Sequence, residues 1–455
     1  MARNRSPIAG EEGFFPALNF NGSDLSEGSV QVRHLPSVSR AELLASFSEG
    51  LDLAEGRQLG HAKRVCYIAM SLARSLGLTE DEQAVIYYAG LLHDIGVPLV
   101  SPELSDIVGV NETTLFAASP RKLPEELATE CCLNHINEVV NAFHQHCRLG
   151  GEQAIELRLS AEVGEAIASN HEHWDGSGFP EGLAAHDIPL AARIVTLADW
   201  ADSLIACEQN SLLARRNLLP EIEGISEIVL DPRLVEQIKV LSQDDQFWLG
   251  LFAGDLWCSL LAMKPHENGK SGWKTFVRLS GQFARIIDSK SRYPEGKSRR
   301  VAQVSAQLGE AIGLSPDHVA MIRLAATLQD IGQLGVPARI MAKPDLLTLT
   351  EMQLLQKHPS YTRLILENIL GLEDMALWVG AHHERPDGKG YPEMLMMELI
   401  PLESRILAVA NVYVALTSDR PYRKALNAKE ALKVLRGAAG TQLDPHLMQV
   451  FASLF

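Results

Sequence analysis

Six positions in the first half of the chain carry side chains that bind hard or borderline metal ions: His61, the adjacent pair His93 and Asp94, His146, His171 and Asp199. Imidazole and carboxylate without thiolate suit Fe, Mn, Zn or Mg ions that also hold water and phosphate oxygens. A carboxylate such as Asp94 can bridge two cations, and two metals about 3.5–4 Å apart clamp a phosphoryl group while activating water for attack. The constellation therefore points to phosphodiester hydrolysis. Each histidine taken alone reads more simply as a surface or core residue. Recurrence lifts the set above that reading.

The recurrence is internal, as expected of a chain built from repeats. Leu76-Gly-Leu-Thr-Glu-Asp-Glu-Gln83 and Ile312-Gly-Leu-Ser-Pro-Asp-His-Val319 share a layout at an offset of 236, and His93-Asp94-Ile95-Gly96 meets Gln329-Asp330-Ile331-Gly332 at the same offset. Downstream the offset is 212: Asn170-His171 and the following Asp175-Gly-Ser-Gly178-Phe179-Pro180 match His382-His383 and Asp387-Gly-Lys-Gly390-Tyr391-Pro392, and Asp199 meets Asn411. His146 likewise recurs as His358. One module is used twice, and the first copy carries an insert of 24 residues between Asp94 and His146, expected over the polar stretch 102–126 as a loop above the site.

The elements that position these residues read as helices. Val65, Ile68, Ala69, Leu72 and Leu76 follow helical spacing, Thr79 and Glu82 form a capping box, and no alternating strand pattern appears. The fold class is all-α. Residues 1–40 read as a loosely ordered arm, 41–205 as the first domain, 206–245 as a linker and 246–455 as the second domain, opened by a buried helix in 247–264.

Composition bounds the partners. The 455 residues are 46% hydrophobic and 22% charged, a soluble globular balance, and 41 Lys and Arg against 57 Asp and Glu give a net charge of −16. No global cationic field draws a nucleic-acid polymer, so an anionic substrate must be held locally. The absence of a signal-peptide pattern or a long apolar run predicts a cytoplasmic protein that does not enter a membrane. Six cysteines without CxxC pairing fit reduced thiols, and Cys131, Cys132 and His135 lack the further ligands a zinc site needs. The basic cluster Lys297, Arg299 and Arg300 reads as a solvated helix face, and His144 and His173 as surface residues or as supports behind the neighbouring candidate ligands.

Leu91-Leu-His-Asp-Ile-Gly96, then Asn170-His-Glu-His-Trp-Asp-Gly-Ser-Gly-Phe-Pro180, then Arg193-Ile-Val-Thr-Leu-Ala-Asp199 together resemble an HD-GYP domain of the HD phosphohydrolase superfamily. The second copy resembles another, and the likeness covers about 55–205 and 285–455. It implies two helical bundles and a centre of one or two divalent ions per chain, Fe or Mn, that hydrolyses a cyclic dinucleotide, cyclic di-GMP or 3′3′-cGAMP. By the same resemblance His61, His93, Asp94 and Asp199 hold the first metal, while Asp94, His146 and His171 hold the second, with Asn170 a weak ligand in place of a histidine. His93 and Asp94 form the catalytic pair, and Asp175, Gly176, Gly178, Phe179 and Pro180 form the substrate loop. Val97 stands where the family carries a lysine, and Arg57 where trinuclear members carry a glutamate, so no third ion is expected. In the second copy Lys297, Gln329 and Asn411 replace first-metal ligands, whereas Asp330, His358, His382 and His383 persist with Arg420 and Arg423 as phosphate-facing cations. That copy is expected to be regulatory and inactive. The partner is a cyclic dinucleotide, with a homodimer left open. Two rival readings are an inactive sensor of cyclic dinucleotides or of a partner protein, and a single-metal nucleotide phosphohydrolase.

Overall fold

The computed structural model describes residues 38–108, 135–206, 211–252, 256–266, 272–291, 296–419 and 423–455. Residues 1–37 of the expected arm, most of the insert, Arg420, Cys131, Cys132 and Cys207 lie outside the described residues, and the last residues of that arm, Ser39 and Arg40, cap and open α1. Among the described residues the chain is helical, with isolated bridges and no strand. The first copy comprises α1 (Arg40–Glu55), α2 (His61–Ser75), α3 (Glu80–Leu92), α4 (Val97–Val108), α5 (Ile136–Glu156), α6 (Ala161–Ala168) and α7 (Leu190–Ala206). Ser39 and Thr79 close capping boxes at the starts of α1 and α3, satisfying amides that would otherwise lack partners. The stretch Glu80–Ile107 is long and apolar enough to cross a membrane by length and composition alone, but 83% of that window is buried inside the fold. The first seven residues of the expected insert loop belong to α4.

The segment expected as a linker is part of the first bundle. It forms α8 (Ser211–Glu223) and α9 (Pro232–Leu241), and Leu218, Ile222, Leu234 and Ile238 are buried. Asp231 caps α9 and binds Arg193 at 2.6 Å; in the second copy Asp444 caps the last helix and binds Arg405 at 2.6 Å. The next two helices, α10 (Asp245–Phe252) and α11 (Leu256–Leu261), also pack on α2, where Tyr67 donates to the Phe247 carbonyl and Lys63 lies over Trp257. They complete the first bundle and do not open the second. Apolar stripes that need a partner found it backward along the chain.

The second copy runs through α12 (Trp273–Lys290), α13 (Lys297–Ala311), α14 (Pro316–Leu328), a tight turn Ile331–Gly335, α15 (Ala338–Met341), α16 (Leu349–Leu355), α17 (His358–Glu367), α18 (Glu373–Gly380), α19 (Leu402–Leu416), α20 (Ala428–Ala438) and α21 (Pro445–Ala452). α1 and α12 are repeat equivalents: Asp52 accepts from the amides of Gly60 and Ala62, and Asp288 accepts from the amide and hydroxyl of Ser298. The two copies meet through them. Phe47 and Phe283, themselves equivalent, lie with ring centroids 4.8 Å apart, α1 packs on the Ile331–Gly335 turn and α17, and α12 packs on α4. Gly50 permits this approach, because a Cβ there would sit 3.0 Å from Leu334.

The buried Phe47 is thus a shared core residue. Phe47→Ala is expected to cost about 3–5 kcal/mol, read as a fall in the denaturation midpoint followed by signals from both copies. Loss confined to one copy would show that the halves unfold independently.

Candidate metal centre

His61 is the first residue of α2, behind Gly60 at φ 86°, and the Asp52 carboxylate ties that start to α1. α3 ends at His93, and Asp94, Ile95 and Gly96 turn the chain into α4. Gly96 has to be glycine: a Cβ would lie 1.9 Å from the His146 carbonyl oxygen. The glycine lets α5 seat directly against the turn, which brings His146 beside Asp94. Gly332 does the same against the His358 carbonyl. His171 follows α6, and α7 returns Asp199 to the opposite wall.

The expected residues converge. His61 Nε2 lies 3.4 Å from Asp199 Oδ1, His93 Nε2 lies 2.8 Å from Asp94 Oδ2, and the His61 and His93 ring centroids are 5.3 Å apart. His146 and His171 pair at 5.0 Å. Asn170 donates to the His93 carbonyl at 3.4 Å, which leaves its Oδ1 free to act as the weak ligand. Asp175 and Gly176 form the turn of the loop, with Asp175 accepting from the Ser177 amide. Gly178 packs too tightly on His171 and His173 for any side chain, and Pro180 follows in a cis peptide. Of the loop residues Phe179 contacts the site, stacking on His171 at 5.2 Å and on His144 at 5.4 Å. His144 is therefore part of the site's wall and not a bystander.

Three residues escaped the sequence reading. Glu55, the last residue of α1, places Oε2 3.7 Å from His61 Nε2. Asp202, one turn after Asp199 on α7, holds His61 Nδ1 at 2.7 Å and is itself held by Arg64 at 2.6 and 3.1 Å. Helical i, i+3 spacing from Asp199 was the available signal. Cys147 lies against both His146 ring nitrogens, and burial holds it as a thiol.

Electrostatics support a cation here. Burial opposes charge on His61, yet Asp202, Glu55 and Asp199 keep it protonated up to about 9. Burial likewise opposes His93, and Asp94 raises it to about 10. Burial lifts the Glu55 carboxyl to about 8, with Asp94 adding to the effect, and burial with His146 beside it drives His171 down to about 3. Glu55 Oε2, His61 Nε2, Asn170 Oδ1, His171 Nε2 and Asp199 Oδ1 are all buried without a hydrogen bond. Buried polar atoms left without partners are costly unless a cation sits among them, and the imidazole and carboxylate donors fit divalent ions once their protons are released.

The second copy differs at one decisive atom. Lys297 Nζ sits 2.7 Å from Asp330 Oδ2, inside the fold. It is no solvated face residue, and Arg300 is also spent, on Thr417 and Ser418. His358 and His382 approach the other Asp330 oxygen at 3.5 and 3.8 Å, with their Nδ1 atoms on the Leu355 and Val379 carbonyls. His383 stacks on Tyr391 at 4.8 Å, and the donor atoms of Asp330, His358, His382 and His383 lie within 4.8 Å of one another. Burial first, then the neighbouring imidazoles and Lys297, keep these histidines neutral. The Arg423 guanidinium is turned to the backbone: it donates to the carbonyls of Ala415 and Leu416 at the end of α19 and to that of the adjacent Lys424.

Comparison with known proteins agrees. Family models described as HD domain match residues 59–204 and 281–447. The 3′3′-cGAMP-specific phosphodiesterase 3 of Vibrio cholerae is 31% identical over 438 residues, covering 91% of this chain and 93% of that protein. Its phosphodiesterase 1 is 26% identical over 409 residues, 88% of each, and the cyclic di-GMP phosphodiesterase response regulator RpfG of Xanthomonas campestris is 38% identical over 169 residues, 36% of this chain and 44% of its own. A crystal structure of a cyclic GMP-AMP specific phosphodiesterase of V. cholerae superposes with TM-score 0.65 at 28% identity, covering 91% of this chain and 96% of that one. The chain belongs to the HD-domain family, as two HD units in tandem.

Two outcomes follow from the geometry. Asp202→Asn, which weakens the grip on His61, is expected to lower divalent-ion affinity about 10–100-fold, measured by chelator competition. The raised imidazoles stabilise the metal-free fold fully below their ordinary value of 6.5, and that contribution is lost as pH climbs through about 9 and about 10. Since an ion needs neutral imidazole, loading at pH 7 should release about two protons and tighten as pH rises. Calorimetry in buffers of different ionisation enthalpy counts those protons, and none released would contradict the charged pair.

Proposed function

We propose that the first copy is a metal-dependent phosphodiesterase that opens a cyclic dinucleotide, 3′3′-cGAMP or cyclic di-GMP, and that the second copy regulates it without cleaving. The observation that carries this reading is the gathering of His61, His93, Asp94 and Asp199 in one cluster, with His146 and His171 paired in a second that feels the Asp94 charge, in a chain related over most of its length to a 3′3′-cGAMP-specific phosphodiesterase. The donor set, imidazole and carboxylate around buried lone pairs, favours one or two Fe or Mn ions in this copy.

His61, His93, Asp94 and Asp199 would hold the first ion, and Asp94 with His146, His171 and the weaker Asn170 the second. Such ions, when bound, activate water and neutralise charge that develops on the phosphoryl oxygens. The protein contributes the rest. Asp202 and the Gly90 carbonyl fix the rings of His61 and His93, so that each presents Nε2 to the site. Phe179, wedged between His171 and His144, fixes the ring of His171 and closes the apolar side. Val97 is buried and offers no cation to the phosphate.

In the second copy the Lys297 ammonium takes the space of a first ion, which supports a unit that holds at most one metal, through Asp330, His358, His382 and His383, and does not cleave.

Metal analysis of the purified chain beside His93→Ala/Asp94→Ala, with hydrolysis of both dinucleotides followed, tests the assignment. The variant should lose first-copy metal and turnover together. A wild type that holds no metal and cleaves nothing when Mn is supplied overturns the phosphodiesterase. Turnover of a linear nucleotide monoester alone would favour the single-metal phosphohydrolase.

A further inference from the structure

A cyclic dinucleotide is a dianion, and the first copy lacks the cations the resemblance implies for it: Val97 is apolar, and positions 208 and 211, which match Arg420 and Arg423 at the offset of 212, carry Glu and Ser. The described cations near the centre are mostly spent. Arg64 grips Asp202 through two nitrogens and turns its third to the Leu59 carbonyl, Lys63 is bound to Glu49, and Arg193 to Asp231. Arg57 is different. It follows the left-handed Gly56 that ends α1, and its amide is tied to the Asp52 carbonyl at 2.9 Å. Its Nε donates to Glu55 Oε1 at 2.7 Å and one terminal nitrogen donates to Ser203 Oγ at 3.3 Å.

A guanidinium has five N–H donors, so three of them are uncommitted in this arrangement. The side chain is 15% exposed, open to the solvent edge of the site while its charge is felt by Glu55, Asp199 and Asp94. Glu55 and Ser203 clamp it from two helices, α1 and α7, so it is held in place before any ligand arrives. At the repeat offset of 236 the second copy has Tyr293, so this cation accompanies the copy that keeps His61, His93, Asp94 and Asp199.

We propose that Arg57 is the phosphate-binding residue of the first copy: its free N–H groups hold a non-bridging oxygen of the substrate diester over Asp94 and Asp199, taking the place of the lysine and arginines this copy lacks. The assignment rests on the phosphodiesterase reading above and extends it to substrate binding. Planar, two-donor contact with a phosphate is what arginine does better than lysine. Glu55 then acts as a positioning residue for Arg57 as well as a wall of the metal centre.

The test compares wild type, Arg57→Ala, Arg57→Lys and Ser203→Ala in the full-length, metal-loaded chain. Metal content, melting temperature, steady-state kinetics and anisotropy of a fluorescent cyclic dinucleotide are read for each. Arg57→Ala should keep its metal and lower kcat/KM about 10–100-fold, with dinucleotide binding weakened in parallel. Added guanidinium at low millimolar concentration should restore part of the loss, and Arg57→Lys should recover only part of it. Ser203→Ala should give a smaller change in the same direction. Unchanged kcat/KM in Arg57→Ala overturns the proposal, as does a loss of activity that tracks loss of metal, since Arg57 would then only anchor Glu55. A wild type that binds dinucleotide without cleaving it refutes the phosphodiesterase but leaves the binding comparison to decide Arg57. A wild type that neither binds nor cleaves refutes both.

Discussion

Both halves are organised around a buried aspartate that needs positive charge beside it. Asp94 and Asp330 stand at equivalent places in the repeat, both shielded from water. An ionised carboxylate in such a place is unfavourable without a cation or several donors. Burial would raise both; His93 holds Asp94 well below the ordinary carboxylate range, and Lys297 does the same for Asp330. The answers differ in kind. A protonated imidazole can release its proton to solvent and offer the nitrogen lone pair to a cation, which would leave the Asp94 carboxylate open to a cation too, whereas an ammonium at 2.7 Å occupies one Asp330 oxygen outright. The residue at the start of one helix, His61 or Lys297, therefore sets how the neighbouring aspartate is neutralised, and the exchanges of His93 for Gln329 and Asp199 for Asn411 accompany it.

The residues that carry this chemistry were legible because metal ligands must be chemically distinctive and because the repeat shows them twice. His61, His93, Asp94, His146, His171 and Asp199 meet as the spacing implies. Glu55 was not legible. By the resemblance, the acid of trinuclear members falls four residues before His61, where Arg57 stands, but the left-handed turn at Gly56 swings Glu55, the residue before it, toward His61. Backbone reversal of that kind has no periodic trace. Asp202 was hidden for a different reason: a residue that touches a ligand's far nitrogen has no spacing rule of its own, only its place on the face of a helix already identified.

The domain boundary misled for a physical reason as well. Helical amphipathicity says that a segment needs a partner, not which partner, and 206–264 could pack forward or backward. The register also slips there: Arg193 and Asp231 are 38 positions apart, Arg405 and Asp444 39. A repeat search at a fixed offset loses the correspondence between α8–α9 and α20–α21 at that step. Arg423 gives its terminal nitrogens to the carbonyls at the end of α19, which need donors.

Retention of an incomplete second copy needs no regulatory argument of its own. α1 carries Asp52 and Glu55 to the first centre from one end, and its middle lies on Phe283, Leu334 and Ile365 of the second copy. Uncovering each such side chain would expose about 1.5–3 kcal/mol of apolar burial, a large share of the net stability of a domain. The Ser46 hydroxyl bond to the Ile365 carbonyl would be lost as well. A first copy cut away from the second would lose the support of the helix that fixes the start of α2, and with it the placement of His61. The same contact places the Ile331–Gly335 turn, which directly follows Asp330, against α1. What binds beside Asp330 and what holds His61 thus rest on opposite sides of one helix, so any influence of the second copy on the first has a short, close-packed route through α1 and needs no separate hinge.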